Sequence, residues 1–387
     1  MSTPRITVIG SALSGNKGAA AMLESAVQTL GERLGEVDVT LLSMYPAEDR
    51  AQNPYPNLEV VAADPKTLGV TINSLALAHR LLPPLRPLLR RHPAIRALTD
   101  SDVLLDQGGI TFTDGREKFL LYNVASILPA LNLHTPVFKC AQAVGPFKNP
   151  INRIVSKVFL PKAQTLVTRG RITHEFAEGL GLTNLVAGAD YAFSLEMDGT
   201  EEQGLREAGV DLGFFEDGEV VGVCPSVVLQ KKVEARGDDY VGQMISFIER
   251  LRRDGKKVLL VPGEDVRFVD RELSSQQLRH LIGLCDLFVA SRFHAMVSSL
   301  AMAVPTLVIG WSHKYREVLE MFELEEWAFG HDQLTPSHLW ERFEDLSARR
   351  DEVQGKLDQH LPEVKSRSLM QADLIAELVR GRAARRA

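Results

Sequence analysis

An arginine and a histidine stand one residue apart near the start of "ASRFHAMVSSLAMAVPTLVIGW", residues 290–311. The preceding "DLFVAS" is apolar and reads as a buried strand, and the following "HAMVSSLAMAV" as a small-residue helix. Arg292 and His294 therefore fall at a strand-to-helix turn. In extended backbone, residues two apart share a face, so Phe293 would turn into the core. The guanidinium and imidazole would then meet at the N-terminus of the next helix. Such a grouping binds an anion and supplies a group that titrates near neutrality. The alternative is a hydrogen-bonded histidine beside an arginine that caps a carbonyl. Lys314 and His313, in "GWSHKYREV" just past the next strand, reach the same place if the two strands are neighbours. Otherwise Lys314 is a solvated loop lysine.

Other polar residues also sit at strand ends. "LVTRGRITHEF" puts Arg169 after an apolar strand and beside a helix start, a natural place for carboxylate or phosphate or for an ordinary surface arginine. "DQGGITFTDG" closes a strand with Asp106, Gln107, Gly108 and Gly109. Asp106, Gln107 and Asp114 can hold sugar hydroxyls or serve as a base, or can merely close a glycine-rich turn. Gln142, in "QAVGP", occupies a further strand end. In the first loop, "GSALSGNKGAAAM", Gly15, Asn16 and Gly18 permit close backbone approach ahead of a helix N-terminus that offers N–H groups to an anion. Its spacing matches neither G-x-x-x-x-G-K-[ST] nor G-x-G-x-x-G, so a tight turn competes with a binding loop. No spacing calls for a metal. A net charge of −6 over 387 residues argues against bulk nucleic-acid binding.

These residues need a frame. Short apolar strands ("ITVIG", "VDVTLLSM", "LEVVAAD", "SDVLLDQGG", "PVFKCAQAVGP", "AQTLVTRG", "NLVAGAD") alternate with helical stretches up to about Asp190, which implies a doubly wound parallel sheet. The acidic, glycine-rich "EMDGTEEQGLREAGVDLGFFEDGE" reads as a junction. A second series follows, with "VVGVCPS", "KKVLLVPG", "DLFVAS" and "PTLVIGW" as strands. The expected architecture is α/β, with two Rossmann-like domains facing a cleft. Residues 1–195 and 196–365 form the two halves, 366–387 form a helical tail, and ligands sit at the C-terminal strand ends. Cys140, Cys224 and Cys285 are far apart, each in an apolar run, and read as core residues in a reducing compartment. With no signal-peptide pattern and no apolar run long enough to span a bilayer, a cytoplasmic protein is expected. One segment stands apart. "AHRLLPPLRPLLRRHPAIRAL" carries five arginines and no acid, and its prolines interrupt any long helix. It is either a lid or a contact with the inner face of a membrane through residues 81–91, from Leu81 to Arg91.

Taken in order, "GNKGAAAM", "DQGGITFTDG", "QAVGPF", "TRGRIT" and "SRFHAMVSSLAMAVPTLVIGWSHKY" resemble the polysaccharide pyruvyl transferase family. The resemblance runs from about Ile6 to Leu324, and the R-F-H segment with its helix, Val-Pro and lysine loop is its most specific part. It implies a GT-B-like fold with the acceptor on the N-terminal side and the donor on the C-terminal side. It also implies phosphoenolpyruvate as donor substrate without a cofactor, and a pyruvate ketal on a saccharide acceptor, lipid-linked or not. On this resemblance Arg169, Arg292 and Lys314 bind the donor, His294 is the general acid, Lys314 stabilises the departing phosphate, and Asp106 takes the hydroxyl proton. The sequence departs from the family pattern at Gly170, where an acid is usual, at Gln107, followed by only two glycines, and at Ala303. The competing enzyme is a GT-B sugar-nucleotide glycosyltransferase, which would present an acid to the donor ribose, here Glu264 or Asp265. A third reading is a non-catalytic glycan- or nucleotide-binding protein on the same scaffold.

Overall fold

The computed structural model describes residues 3–260 and 273–386. Glu264 and Asp265 lie outside the described residues. The chain divides into two compact units, 1–195 together with 366–387, and 196–365.

The first unit holds eight strands: β1 Arg5–Ile9, β2 Asp38–Ser43, β3 Leu58–Ala62, β4 Val103–Asp106, β5 Ile110–Thr113, β6 Val137–Gly145, β7 Thr165–Thr168 and β8 Leu185–Ala187. They run in the order β3-β2-β1-β4-β6-β7-β8, all parallel, with β5 added beside β6. Helices cover both faces of such a sheet, which is why its strands are apolar runs rather than alternating ones. Every residue of β4 and β6 is buried. The order reverses between β1 and β4, so the carboxyl ends of these two strands form the switch point where a crevice opens.

β5 is a strand that the sequence pattern hides. β4 pairs with the first part of β6, through Asp106↔Lys139, and β5 pairs with the last part, through Ile110↔Ala143 and Thr113↔Gly145. Gly108 and Gly109 carry the chain from one pairing to the other along the same long partner. In sequence this reads as a turn, because the strand is short and bracketed by turn residues.

The second unit has a five-stranded parallel sheet in the order β10-β9-β11-β12-β13. Its strands are β9 Val220–Cys224, β10 Lys257–Leu260, β11 Leu287–Ala290, β12 Thr306–Gly310 and β13 Ala328–Gly330. Its switch point lies between β9 and β11. The acidic stretch expected as a junction is structured: the helix Glu201–Glu207 buries Leu205 against Leu212 and Leu281.

The residues expected as a separate tail are the end of a long helix, Arg350–Arg386, and they pack on the first sheet. Gln371 accepts from the Ala141 N–H at 2.9 Å and donates to the Ala189 carbonyl at 2.9 Å. Ile375, Ala376 and Val379 are buried. The proline-rich segment is broken as its sequence demands, into the helix Asn73–Leu81, a 3-10 turn Pro83–Leu85 and a single turn Arg86–Leu89. Among the described residues no helix is long and apolar enough to cross a membrane.

Candidate active site

At the first switch point the loops after β1 and β4 touch through backbone. A Cβ on Gly10, which has φ +80°, would lie 2.7 Å from the Gly108 nitrogen. Gln107 N–H donates to the Ile9 carbonyl at 2.8 Å. Only glycine at position 10 permits this approach.

Beneath these loops lies a buried polar frame. One oxygen of Asp106 pairs with the Lys139 ammonium, and the other accepts from the Gly108 N–H at 3.0 Å. Both side chains are almost fully buried. Gln142 donates to the Asp106 carbonyl at 3.0 Å and accepts from the Thr111 hydroxyl at 2.5 Å. Gln107 donates to the Met22 carbonyl at 2.9 Å. Arg169, 1% exposed, donates through Nε to the Ala141 carbonyl at 3.0 Å and faces the buried Asp190 carboxylate, also at 3.0 Å. Its guanidinium lies under Gly109, where a Cβ would come within 3.2 Å of Nη2.

This frame corrects several expectations. Asp106 is not an open base, because both its oxygens are engaged and it is shielded from solvent. Arg169 is neither a surface arginine nor an exposed anion ligand, because Asp190 neutralises it in the core of the first unit. Gln107 holds the Met22 carbonyl, and Gln142 bridges the Asp106 carbonyl and the Thr111 hydroxyl. Asp106 bonds Gly108, Gln142 bonds Thr111, and Arg169 lies under Gly109. Asp114 closes the next turn, accepting from Lys148 N–H at 2.5 Å, Asn149 N–H at 3.1 Å and Asn152 Nδ2 at 2.7 Å.

The first loop is organised by a residue that sequence reasoning missed. Asp49 is fully buried and accepts from Leu13 N–H at 2.9 Å and Ser14 N–H at 2.7 Å, and from the Ser14 and Ser43 hydroxyls. Nothing in "PAEDRA" marks it, since its partners are distant in sequence. Asn16 caps the helix Lys17–Leu34, accepting from Gly18 N–H at 3.1 Å and Ala19 N–H at 3.4 Å. Two of the N–H groups expected to meet an anion are thereby already occupied. Gly15 is exposed with φ +68° and has nothing within 4 Å of where a Cβ would lie.

The second switch point carries the basic residues. Strand geometry stops at Ala290, and Arg292 is the N-cap of the helix Phe293–Ala301, with no side-chain cap bond. His294 is thus already helical, and strand alternation does not set its direction. Phe293 is buried as its apolar type predicts, and its ring meets the His294 ring edge-on at 5.2 Å. The Arg292 charge faces the Cys224 thiol and the Tyr315 phenol. Burial raises both groups, Cys224 to about 12, and the guanidinium offsets part of the rise.

Tyrosines brace this end of the sheet. The Tyr240 hydroxyl accepts from Ser226 N–H at 3.1 Å and donates to Ser291 Oγ at 3.3 Å, tying the ends of β9 and β11. Tyr315 donates to the Ser291 carbonyl at 3.2 Å.

Lys314 is not a solvated loop lysine. It is 7% exposed, and its ammonium lies over the rings of Phe293 at 4.5 Å, Trp311 at 5.0 Å and Tyr315 at 5.2 Å. Lys232 lies over the other partner, Trp311, at 5.5 Å. His313 approaches the buried Glu317 at 4.0 Å. Burial, then Lys232, hold the His331 imidazole below its ordinary value, and Arg236 donates to the His331 carbonyl at 2.7 Å. Neither the helix Phe293–Ala301 nor the helix His313–Glu320 has an acid in its first turn. Cations set against the positive ends of helices suit a bound anion. Tyr240, Trp311, Lys232 and His331 were not legible as part of this group, because only the sheet order brings them to it.

Of the expected site residues, Gly15, Asn16, Gly18, Asp106, Gln107, Gly108, Gly109, Gln142 and Arg169 belong to the first unit. Arg292, His294 and Lys314 belong to the second. All three cysteines are free and buried, as core residues. Among the described residues no group of three His, Cys, Asp or Glu is placed to hold a metal.

The profile of the polysaccharide pyruvyl transferase family matches residues 16–313, a span that takes in both sets of residues except Gly15 and Lys314. The chain belongs to this family. It is 24% identical over 380 aligned residues to the amylovoran biosynthesis protein AmsJ of Erwinia amylovora, covering 84% of this chain and 87% of that one. Among solved structures it resembles the UDP-GlcNAc 2-epimerase of Neisseria meningitidis bound to UDP-GlcNAc. The identity there is 10% and the TM-score 0.63, over 97% of this chain and 99% of the other. It also resembles Medicago truncatula UGT71G1 complexed with UDP-glucose, at 11% identity and TM-score 0.54, over 97% and 98%. Identities this low speak for the fold alone, which is α/β of GT-B type. The pyruvyl transferase profile covers the R-F-H turn and ends at His313, one residue before Lys314.

Proposed function

We propose that this family member transfers a pyruvyl group from phosphoenolpyruvate to two hydroxyls of one sugar, in a polysaccharide or its lipid-linked precursor. The product is a ketal and phosphate is released. The reaction balances as phosphoenolpyruvate plus a diol giving the pyruvate ketal and hydrogen phosphate. The C3 methylene gains one proton, the bond from C2 to the phosphate oxygen breaks, two carbon–oxygen bonds form at C2, and the second hydroxyl proton leaves with phosphate. The observation that carries this reading is the cation group at the second switch point, where Arg292 and Lys314 stand at helix N-termini without first-turn acids. A donor with both a carboxylate and a phosphate suits that field.

In this reading His294 protonates the methylene, Arg292 orients the donor, and Lys314 stabilises the departing phosphate. The rings around Lys314 keep water from its ammonium, which strengthens its pull on a bound anion. The enzyme acts in the cytoplasm, where phosphoenolpyruvate is made, and serves exopolysaccharide assembly, in keeping with the name of the Erwinia relative. His294→Ala is expected to keep donor affinity and to lose about 10²–10⁴-fold in turnover, the usual share of a general acid. Phosphate release and glycan mass spectrometry read both quantities. Turnover at the wild-type rate in His294→Ala removes the acid role. Nucleotide release from a sugar nucleotide, with none of the phosphate chemistry, overturns the donor.

A further inference from the structure

We infer that the first unit docks peripherally on an anionic lipid bilayer through the helix Pro150–Phe159 and the segment 81–91. The helix Pro150–Phe159 packs Val155 and Phe159 against the core and carries a second apolar stripe on its exposed side. Asn152 and Ser156 face inward and are buried, Asn152 donating to the Phe112 carbonyl at 3.0 Å and to Asp114 at 2.7 Å, and Ser156 donating to Asn152 at 3.3 Å. Ile151, Ile154 and Val158 face outward, exposed by 65%, 64% and 47%. At spacings of three and four these aliphatic chains form one stripe. A water-covered helix normally keeps its apolar residues on the core side alone, and a contiguous exposed apolar stripe marks an interaction surface.

The charge around the stripe selects the occupant. Residues 147–163 contain Lys148, Arg153, Lys157 and Lys162 and no acid. Arg153 and Lys157 are exposed and flank Ile154. Within 81–91 every residue but Leu89 is exposed, including the aliphatic Leu81, Leu85 and Leu88. The stretch 65–99 holds six Lys and Arg and no acid, in a chain whose net charge is −6. Of these, Arg90 pairs with Asp100 and Arg96 with Glu59 at 3.8 Å, while Arg80 and Arg86 bond to Asn132 Oδ1 and the His79 carbonyl and keep their charge. Both elements adjoin one core: Ala76, in the helix leading into residues 81–91, belongs to the buried cluster against which Val155 and Phe159 pack. Glu117 and Asp114 meet the start of the helix at Asn149 and Lys148, while Arg153 and Lys157 stand beside the aliphatic stripe beyond it. Aliphatic side chains flanked by exposed cations complement a bilayer whose headgroups are anionic and whose interior is apolar.

The test is co-sedimentation of the full chain with phosphatidylcholine vesicles, and with vesicles in which phosphatidylglycerol replaces part of the phosphatidylcholine. The expected result is binding to the mixed vesicles, weakened by salt. Binding should fall about tenfold or more in Ile151→Asp/Ile154→Asp and in Arg153→Glu/Lys157→Glu, all exposed positions whose replacement leaves the melting temperature unchanged. Three results overturn the inference: no binding to mixed vesicles, equal binding to phosphatidylcholine alone, or wild-type binding by both double variants. A change in the sedimentation-velocity mass with the apolar variant, in place of lost vesicle binding, would instead assign the stripe to a second copy of the chain. The assay contains no donor or acceptor, so its outcome stands apart from the transferase reading.

Discussion

Lys139→Met would leave the Asp106 carboxylate buried without its cation. In the native chain the two side chains are essentially inaccessible and touch directly, and the ammonium also lies 5.3 Å from the centre of the Phe112 ring. Removing one partner of such a pair costs about 3–5 kcal/mol, because the remaining charge cannot reach water. At about 2–4 °C per kcal/mol for a unit of this size, the first unit should melt about 6–20 °C lower. The double variant Asp106→Asn/Lys139→Met separates the two roles open to Asp106. Asparagine still accepts from the Gly108 N–H, and methionine keeps the methylenes against Phe112. Replacing both charges of a buried pair by neutral groups of similar volume is often close to neutral, so the melting temperature should return to within a few degrees of wild type. Phosphate release from phosphoenolpyruvate with a saccharide acceptor should return with it. Calorimetry and the phosphate assay together decide. A double variant that melts like wild type yet does not turn over would make Asp106 a chemical group rather than a brace. A Lys139→Met protein that melts like wild type would refute the buried-pair argument itself.

Three shorter expectations follow from the same geometry. Lys314→Met keeps the side chain packed on Phe293, Trp311 and Tyr315 but removes the charge. Donor KM should rise about tenfold or more, the scale of a lost charge-assisted hydrogen bond, and an unchanged KM excludes Lys314 from donor binding. Gly10→Ala forces a Cβ against Gly108 at φ +80° and should destabilise the first unit by about 1–3 kcal/mol in urea titration; a wild-type midpoint would show the loops to be looser than described. Burial raises Cys224 and Cys285 to about 12 and Cys140 well above its usual range. No thiol should therefore react with an aromatic disulfide at pH 8 in the native protein, and all three should react in guanidinium, whereas fast native labelling contradicts the packing.

Most strands of both sheets were legible because each is an apolar run with turn residues at its ends; β5 and the three-residue β13 were not. The position of Arg292 at a strand end, and the burial of Phe293, were legible for the same reason. The role of Arg169 was not. A strand-end arginine reads alike whether it waits for a ligand or already has one, and the partner that settles it, Asp190, arrives through another strand of the sheet. The strand alternation used to orient His294 does not apply, because the helix begins at Phe293, one residue before it.

Local periodicity and residue type therefore determined the parallel α/β class, the two-part chain, and which turns carry polar residues. Those properties follow from short-range alternation between burial and turn formation, which a linear pattern records. Tertiary structure alone decided which of those polar residues are spent on one another. Asp106 meets Lys139 across 33 positions and Gln142 meets Thr111 across 31, while Lys314 is enclosed by rings from two neighbouring strand-end loops. Whether a buried polar group is a brace or a ligand depends on what the sheet order sets beside it, and that order is not a local property of the chain.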